Sequence, residues 1–246
     1  MNEEISTPRQ TTQEKVAEDF DGWADSYVET INQAIAFTGR GHAFYVDIKC
    51  EHILRLAQRH FTDIASLRVL DLGCGIGAYH PGLKARFQEL HGVEVSAQSV
   101  KLAARRHSFV RYSTYDGSRL PYGNGTFSMV FTMGVMHHVP PLQWSSFVAE
   151  AHRVTAPGGL MLVFENNPYN PLMQYFVRTC EIDKDAVLLR PGKLRRIFAA
   201  AGFTDVYTRT IISVPPAGRF LTKVDWLLGT LPFGAQYYLS ATKKPL

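Results

Sequence analysis

Three glycines at alternate positions follow a short apolar segment of this chain. Asp71 lies within the apolar run Val69–Leu72, and Gly73, Gly75 and Gly77 come directly after it. Glycine tolerates the sharp turn by which a strand opens into a helix, and it lets a ligand come close to the main chain. Ligands of open α/β sheets bind at the carboxyl ends of parallel strands. The stretch therefore predicts a buried strand, a tight turn and a ligand site.

Two further carboxylates follow later predicted strands. Glu94 lies about 20 residues beyond the glycine turn, the separation at which an acidic residue on the neighbouring strand accepts hydrogen bonds from ribose hydroxyls. Asp116 follows the next strand. Gly77 is followed by Ala-Tyr rather than by Lys and Ser or Thr, which excludes a phosphate-binding P-loop. The glycine spacing G-x-G-x-G also differs from the G-x-G-x-x-G of dinucleotide folds.

Strands alternating with helices predict an α/β, Rossmann-like, doubly wound sheet of seven strands, mostly parallel, with a reversed last strand. The strands are expected at Leu67–Leu72, Leu90–Val95, Phe109–Ser113, Phe127–Met133, Leu160–Phe164, Phe203–Ile212 and Gln236–Thr242. Helices are expected at Ala78–Glu89, from Ser96 onward, and at Pro140–Thr155, Pro171–Cys180 and Pro191–Ala201. Pro157 and the two glycines after it predict a break before the fifth strand.

Two amphipathic helices precede the first strand. Apolar residues at helical spacing run from Val16 to Ile31, after Thr12 as a candidate N-cap, and again from Phe44 to Leu56. These helices either cover a sheet face or lie over the strand ends. We expect residues 1–62 to form a disordered tail, over residues 1 to about 11, and a helical lid, and residues 63–246 to form the core, within a single domain overall.

An insertion at about 213–235 separates the last two strands and is longer than an ordinary hairpin loop. It carries apolar residues on one helical face, namely Phe220, Leu221, Val224, Leu227, Leu228 and Leu231. This face predicts packing onto the body, a wall for an apolar substrate, or contact with a membrane surface.

The composition limits the class of protein. The 246 residues are 46% hydrophobic and 20% charged, a composition that suits one sizeable core. The net charge is +4, and the basic residues are scattered along the chain, which argues against nucleic acid as a partner. Three distant cysteines without a C-x-x-C pair predict a reducing compartment and no zinc site. The polar, acidic N-terminus and the absence of any apolar run of about 20 residues predict a cytoplasmic protein without a secretory signal or membrane span. We expect a monomer or homodimer.

Five ordered motifs resemble the class I S-adenosylmethionine-dependent methyltransferase family. They are Leu70–Gly77, Gly92–Ser96, Asp116 with Leu120–Tyr122, Phe127–Val139 and Arg153–Gly159. The likeness is greatest to the small-molecule branch that includes the ubiquinone and menaquinone methyltransferases, whose Phe-Asp-x-x-Ala-x-x-Tyr helix resembles Phe20–Tyr27. Ser128 stands where the family often has Asp.

The resemblance implies S-adenosylmethionine as cofactor, S-adenosylhomocysteine as product, and no metal. It places Asp71 near the cofactor's amino group, Glu94 on the ribose hydroxyls and Asp116 near the adenine amino edge. The implied cofactor residues are Asp71, Gly73, Cys74, Gly75, Gly77, Glu94, Val95, Asp116, Gly117, Met133 and Gly134.

The expected reaction is methyl transfer to a small-molecule acceptor in a biosynthetic or secondary-metabolite pathway. Transfer from a sulfonium depends mainly on positioning, and a base is needed only where the acceptor loses a proton, as a hydroxyl does. Candidate catalytic residues are His137, His138 and Glu165, and candidate substrate contacts are Tyr27, Tyr45, Asn166 and Tyr169.

Transfer to oxygen is favoured. The open alternatives are N-methylation of a heterocycle or amino sugar, C-methylation of a quinone-like lipid, methylation of a glycan intermediate, and a binding module of the same fold without catalysis.

Overall fold

Seven strands form one mixed sheet at the centre of the computed structural model, which describes residues 13–214 and 218–245. The strands are β1 (Arg68–Leu72), β2 (Glu89–Glu94), β3 (Arg111–Thr114), β4 (Phe127–Met133), β5 (Thr155–Asn166), β6 (Phe203–Ile211) and β7 (Gln236–Lys243). Their spatial order is β3-β2-β1-β4-β5-β7-β6. Of these seven strands, β7 alone runs in the opposite direction, and it pairs antiparallel with β5 and β6. The predicted seven-stranded, mostly parallel sheet with a reversed last strand is confirmed.

Helices lie on both faces of this sheet. Those described are α1 (Gln13–Trp23), α2 (Tyr27–Ala34), α3 (His42–His60), α4 (His80–Leu83), α5 (Ala97–Arg106), α6 (Trp144–Val154), α7 (Pro171–Thr179), α8 (Pro191–Ala200) and α9 (Gly218–Leu228). Within the described residues, no helix combines the length and the apolar character that crossing a membrane would require.

The central strands are apolar because both of their faces are covered. Along β4, Val130 belongs to one buried apolar cluster, whereas Met129 and Phe131 belong to the cluster on the opposite side of the sheet. Successive strand residues point to opposite faces, so an all-apolar run is what a strand between two layers requires. The strand order reverses between β1 and β4, and such a reversal opens a crevice at the carboxyl ends of the strands.

The predicted helix at Ala78–Glu89 is wrong. Only one turn, α4, forms there, and the chain then runs irregularly to β2. Pro81 is tolerated because it lies in the first turn. Ala85 has a φ of 57°, which lies in the left-handed region and is incompatible with a continuing helix.

Two other boundaries differ from the expectation. The helical pattern from Val16 to Ile31 is divided between α1 and α2 by a turn at residues 24–26. The predicted break at Pro157 lies inside the long strand β5, where the pairing with β4 shifts register between Phe127 and Met129. The expected disordered tail and the N-cap at Thr12 lie outside the described residues.

Candidate active site

A cleft lies at the carboxyl ends of β1, β2 and β4, and α1 and α2 cover it. Helices α1 and α2 and the turn between them contribute Val16, Phe20, Trp23, Ala24 and Tyr27 to its wall. The strand ends and the segments after them contribute Gly73, Cys74, Gly75, Ile76, Ala78, Tyr79, Glu94, Val95, Ser99, Tyr115, Met133, Gly134, Val135, His138 and Val139. Most of these residues are apolar, and they surround a small number of polar groups, as is usual for small-molecule sites.

The glycine turn after β1 leaves room for a ligand. Gly73 and Gly75 have φ values of 79° and 49°, which glycine adopts without strain. The amide of Gly73 donates to the Val93 carbonyl (2.8 Å), and the amide of Gly75 donates to the Glu94 carboxylate (2.9 Å). A Cβ added at Gly75 would meet no atom within 4 Å. The turn is thus held against β2 while open space remains over it, which fits the close approach expected of S-adenosylmethionine.

Glu94 is buried at the end of β2, and backbone amides hold its carboxylate. One oxygen accepts from the amide of Val95 (2.7 Å) and the other from the amide of Gly75 (2.9 Å). Burial raises the pKa of Glu94, and these amide hydrogen bonds oppose that shift. The oxygen that accepts from Val95 also accepts from the Ser96 amide (3.3 Å), whereas the oxygen that accepts from Gly75 keeps a second lone pair for a ribose hydroxyl.

Asp71 lies beneath the turn rather than on the cleft wall. One of its oxygens is 3.0 Å from Nε2 of His80, whose Nδ1 lies 2.5 Å from the Tyr112 hydroxyl. Burial raises the pKa of Asp71, and the hydrogen bond with His80 opposes the shift. The other carboxylate oxygen is buried without a partner among the described residues. That unpartnered oxygen fits the predicted interaction with a cationic amino group, directly or through water.

Beyond β4 and β5, two histidines and two carboxylates form one network. Nδ1 of His137 lies 2.5 Å from Oε2 of Glu165, whose other oxygen accepts from the Met136 amide. Oδ1 of Asp183 lies 3.3 Å from Nε2 of His138 and 3.6 Å from Nε2 of His137. Asp183 lies in a short 3₁₀ helix between α7 and α8. Of the four side chains, His138 is the one that lines the cleft.

The two histidines of this network have opposite pKa shifts. Burial by itself lowers the pKa of His137, but the adjacent carboxylates of Glu165 and Asp183 outweigh burial and raise that pKa to about 10. Burial and the charge of His137 lower the pKa of His138. Burial opposes the ionisation of Asp183, but its contacts with both histidines lower its pKa overall. The arrangement keeps His137 protonated, Asp183 ionised and His138 neutral at neutral pH.

The same network contains the metal-ligating atom types. One ligand atom from each of His137, His138 and Asp183 lies within 4.8 Å of the others. A hydrogen-bonded cluster of ion pairs explains the network equally well without a metal. Such a cluster accounts for the close pairing of His137 with Glu165 and for the pKa shifts.

The remaining sequence-predicted residues fall into two groups. Those on the cleft wall are Tyr27, Cys74, Val95, Met133 and Gly134. Those outside it are Tyr45, Gly77, Asp116, Gly117, Asn166 and Tyr169. Asp116 accepts hydrogen bonds from the amides of Ser118 and Arg119, and hydrogen bonding to Ser118 and Arg119 lowers its pKa to about 2. The side chain of Asn166 accepts from Gln236.

Sequence reasoning missed several residues of the site. The aromatic side chains Tyr79 and Tyr115 line the cleft beside the glycine turn and the end of β3, and Asp183 orients His138. Tyr115 could have been identified because it directly precedes Asp116 at a strand end. Nothing local marks Asp183, since its contacts arise only when the α7–α8 connection folds back over β4.

The covering helices are bound to the cofactor side of the cleft. Asp21 of α1 accepts a hydrogen bond from the Ser96 hydroxyl (2.5 Å) and another from the Gln98 amide (3.0 Å). Ser96 is also the N-cap of α5, where its hydroxyl oxygen accepts from the Ser99 amide. The Ser96 hydroxyl therefore both caps α5 and binds the carboxylate of α1.

Comparison with known proteins identifies similar sequences. A family model described as a methyltransferase domain matches residues 69–159. An uncharacterized methyltransferase, sll0829 of Synechocystis, is 30% identical over 144 residues, covering 56% of this chain and 68% of that protein. A ubiquinone biosynthesis O-methyltransferase of Mesorhizobium japonicum is 26% identical over 65% of this chain and 68% of that protein. Phthiotriol/phenolphthiotriol dimycocerosates methyltransferase 1 of Mycobacterium ulcerans is 28% identical over 46% of this chain and 43% of its own length, so the match spans less than half of that relative.

Solved structures share the fold. A SAM-dependent methyltransferase of Thermotoga maritima aligns with a TM-score of 0.65 and 17% identity, covering 92% of this chain and 99% of the other. The [4+2]-cyclase SpnF aligns with a TM-score of 0.64 and 17% identity over 97% of this chain and 98% of its own. At these identities the likeness concerns the fold alone.

Proposed function

The chain belongs to the class I S-adenosylmethionine-dependent methyltransferase family, and on that premise we propose that it methylates a small-molecule acceptor at a hydroxyl oxygen. The observation that carries the choice of oxygen is the neutral histidine on the cleft wall, His138, which is held by the ionised Asp183. A hydroxyl must lose its proton as it accepts a methyl group, whereas an amine can lose the proton to solvent afterwards.

The cofactor side of the cleft supports the proposal independently. Glu94 provides an acceptor for the ribose, and the unpartnered oxygen of Asp71 provides one for the amino group. The open turn at Gly75 leaves space for the cofactor to approach the backbone. The aromatic side chains Tyr115 and Trp23 add apolar wall. We propose that Asp116 and Gly117, just outside the wall, approach the adenine edge from the β3 end.

On the acceptor side, the chain's own residues position and deprotonate the hydroxyl. The cofactor supplies an electrophilic methyl group on a sulfonium, and the carbon–sulfur bond breaks as the carbon–oxygen bond forms. The Nε2–H group of His138 donates a hydrogen bond to the ionised Asp183, which leaves the Nδ1 lone pair to accept the hydroxyl proton. Glu165 holds His137 protonated behind it. Tyr27, at the start of α2, also lines the cleft.

The proposal is tested by binding and turnover measured separately. We expect S-adenosylhomocysteine to bind the purified chain in calorimetry, and Glu94→Gln to weaken it roughly 10- to 100-fold because hydrogen bonds to a charged acceptor contribute about 1.5–3 kcal/mol. Glu51→Gln, at an exposed position outside the cleft, is the matched control and should bind normally.

Turnover is then followed with methyl-labelled S-adenosylmethionine and panels of phenols, alcohols and amines. Label should pass to hydroxyl-bearing acceptors in the intact chain. Cofactor binding without transfer to any acceptor would favour a binding module, and transfer to amines alone would contradict the preference for oxygen.

A further inference from the structure

Helix α9 presents apolar side chains to solvent. Phe220, Lys223 and Leu227 are spaced three and four residues apart, so they share one helical face, and Phe220 and Leu227 are 76% and 74% exposed. The opposite side of the helix contains Asp225, whose buried carboxylate accepts hydrogen bonds from the amides of Ile212 and Ser213. The exposed stripe is therefore the outer face of a helix that is fixed to the body by its other side.

Basic side chains surround the inner edge of this helix. The guanidinium groups of Arg55, Arg59 and Arg209 lie 5.3, 4.7 and 4.0 Å from the centre of the Trp226 ring. Neither these three arginines nor Lys223 makes an ion pair with a carboxylate in the described part of the chain. Cation–π contacts position the guanidinium groups but do not neutralise their charge.

Two adjoining cavities lie between α3 and α9, and they differ in charge. The larger one, of about 490 Å³, includes the carboxylates of Asp47, Glu51 and Asp225 among its walls. The outer one is a groove of about 410 Å³, and its walls carry positive charge without any carboxylate. The residues of this outer groove are Arg55, Arg59, Thr222, Lys223, Trp226 and Leu227. An anionic group is favoured in the outer groove, beside the exposed apolar stripe.

We propose that the α9 surface, made of the exposed stripe and the outer groove, docks onto an anionic lipid bilayer. A lipid phosphate would lie in the groove between Arg59 and Lys223, and Phe220 and Leu227 would enter the boundary between headgroups and acyl chains. Helices bind this boundary when apolar and basic side chains are combined on the side that faces it.

Charge favours a bilayer over a second copy of the chain as the occupant. In a two-fold symmetric pair the same patch meets itself, so Lys223 and the neighbouring arginines would face their own copies. Juxtaposed like charges disfavour such a contact. An anionic lipid surface compensates them.

The α9 surface is joined to the acceptor side of the cleft. The side-chain amide of Asn170 donates to the carbonyl of Phe233 (2.7 Å), and the side-chain amide of Asn167 donates to the carbonyl of Pro232 (2.8 Å). These two bonds link the loop after α9 to the segment that follows β5, whose end carries Glu165. Docking through α9 would therefore hold the acceptor side in a fixed orientation near the bilayer.

Vesicle sedimentation tests the proposal with the purified full chain. We expect it to sediment with vesicles of phosphatidylcholine mixed with phosphatidylglycerol, not with phosphatidylcholine alone, and to be released as salt is raised. Lys223→Gln should weaken partitioning about fivefold, because one basic residue near an anionic surface contributes about that factor. The double variant Phe220→Ser, Leu227→Ser should weaken it at least about tenfold.

Leu142→Ser is the matched control, since Leu142 is equally exposed but lies before α6. It should bind vesicles as the unsubstituted chain does. S-adenosylhomocysteine binding, measured in each variant, should stay unchanged, which separates this inference from the proposed function.

Four results would overturn the inference. They are no binding to anionic vesicles, equal binding to neutral vesicles, full binding by both the Lys223 and the double variants, and a dimer in sedimentation equilibrium that the double substitution converts to monomer.

Discussion

His138 has one ring nitrogen committed and one free for chemistry. Its Nε2 lies 3.3 Å from Asp183, and burial with the positive charge of His137 lowers its pKa. A histidine acts as a base only when neutral, so a lowered pKa enlarges the pH range in which His138 is available for the proposed role. In that proposal Asp183 acts through His138 and is a positioning residue.

The pH dependence of turnover follows from this arrangement. His138 is protonated as the pH falls through its pKa, so we expect kcat to decrease on the acid side, below pH 6.5, the ordinary pKa of histidine. His138→Ala should reduce kcat roughly 100-fold or more, the usual contribution of a general base, with little effect on cofactor affinity. Stopped assays across pH with a hydroxyl acceptor measure both effects.

Asp183→Asn distinguishes positioning from simple structural support. Removing the carboxylate takes away an influence that raises the pKa of His138, so the acid limb should move to lower pH while kcat falls. A lower kcat with an unmoved limb would mean that Asp183 only supports the fold. Glu181→Gln, in the same short helix but exposed, is the control and should retain the original profile.

The sequence predicted three of the four residues of the histidine–carboxylate network, and it did not predict Asp183. His137, His138 and Glu165 were identified because they follow buried strands, and the ends of parallel strands meet at one edge of a sheet. Asp183 is 45 residues beyond His138 in a polar loop. Its role arises from the path of the α7–α8 connection, which no local pattern specifies.

Helices α1 and α2 cover the cleft, and we propose that they move as a lid. Their apolar residues Phe20, Trp23 and Tyr27 face the cleft, and Asp21 bonds the lid to Ser96 and Gln98. A bound cofactor beneath this cover cannot leave until those bonds open.

Asp21→Ala should therefore accelerate cofactor release. Hydrogen bonds to a charged acceptor contribute about 1.5–3 kcal/mol, so we expect the dissociation rate of S-adenosylhomocysteine to rise roughly tenfold or more in stopped-flow displacement. Asp25→Asn, an exposed carboxylate in the same segment, is the control. Equal release rates in the Asp21 variant and the unsubstituted chain would show that the lid does not limit exit.

The strands and helices were predicted best where one clear hydrophobic pattern covered the whole element. β4 is as expected because seven consecutive residues form a run suited to burial on both faces. The helix after the glycine turn was overpredicted because its composition is helical, whereas Ala85 turns into the left-handed region to reach β2. The long β5 was underpredicted because Pro157 and its glycines are accommodated at a register shift beside β4.

The whole molecule depends on a sheet buried between two apolar layers. Phe131 lies at its centre and is fully buried, whereas Phe109, before β3, is 38% exposed. Phe131→Ala should lower the free energy of unfolding by about 3–5 kcal/mol, through lost burial and the cavity left behind. Phe109→Ala should lower the free energy of unfolding by less, because a partly exposed side chain loses fewer contacts. Denaturant unfolding compares the two, and equal losses would argue against a core centred on β4.

The topology of the sheet was predictable because strands that alternate with helices allow few arrangements. The long insertion before the last strand is also consistent with an antiparallel pairing of the last two strands. How the insertion lies on the body was not predictable. Phe220 and Leu227 of α9 are exposed, whereas Leu221, Val224 and Leu228 are partly buried, and periodicity alone does not say which side of the helix meets the protein.

The glycine turn limits how this enzyme family member can be re-engineered. A Cβ at Gly73 would come within 2.5 Å of a methyl carbon of Val135, which lies two residues before His137. Any side chain introduced at Gly73 must therefore displace the side chain of Val135, which belongs to the segment that carries both histidines. Libraries that vary Gly73 are therefore expected to alter the proposed acceptor side as well, so cofactor analogues are better accommodated by varying Tyr79 or Tyr115 on the cleft wall.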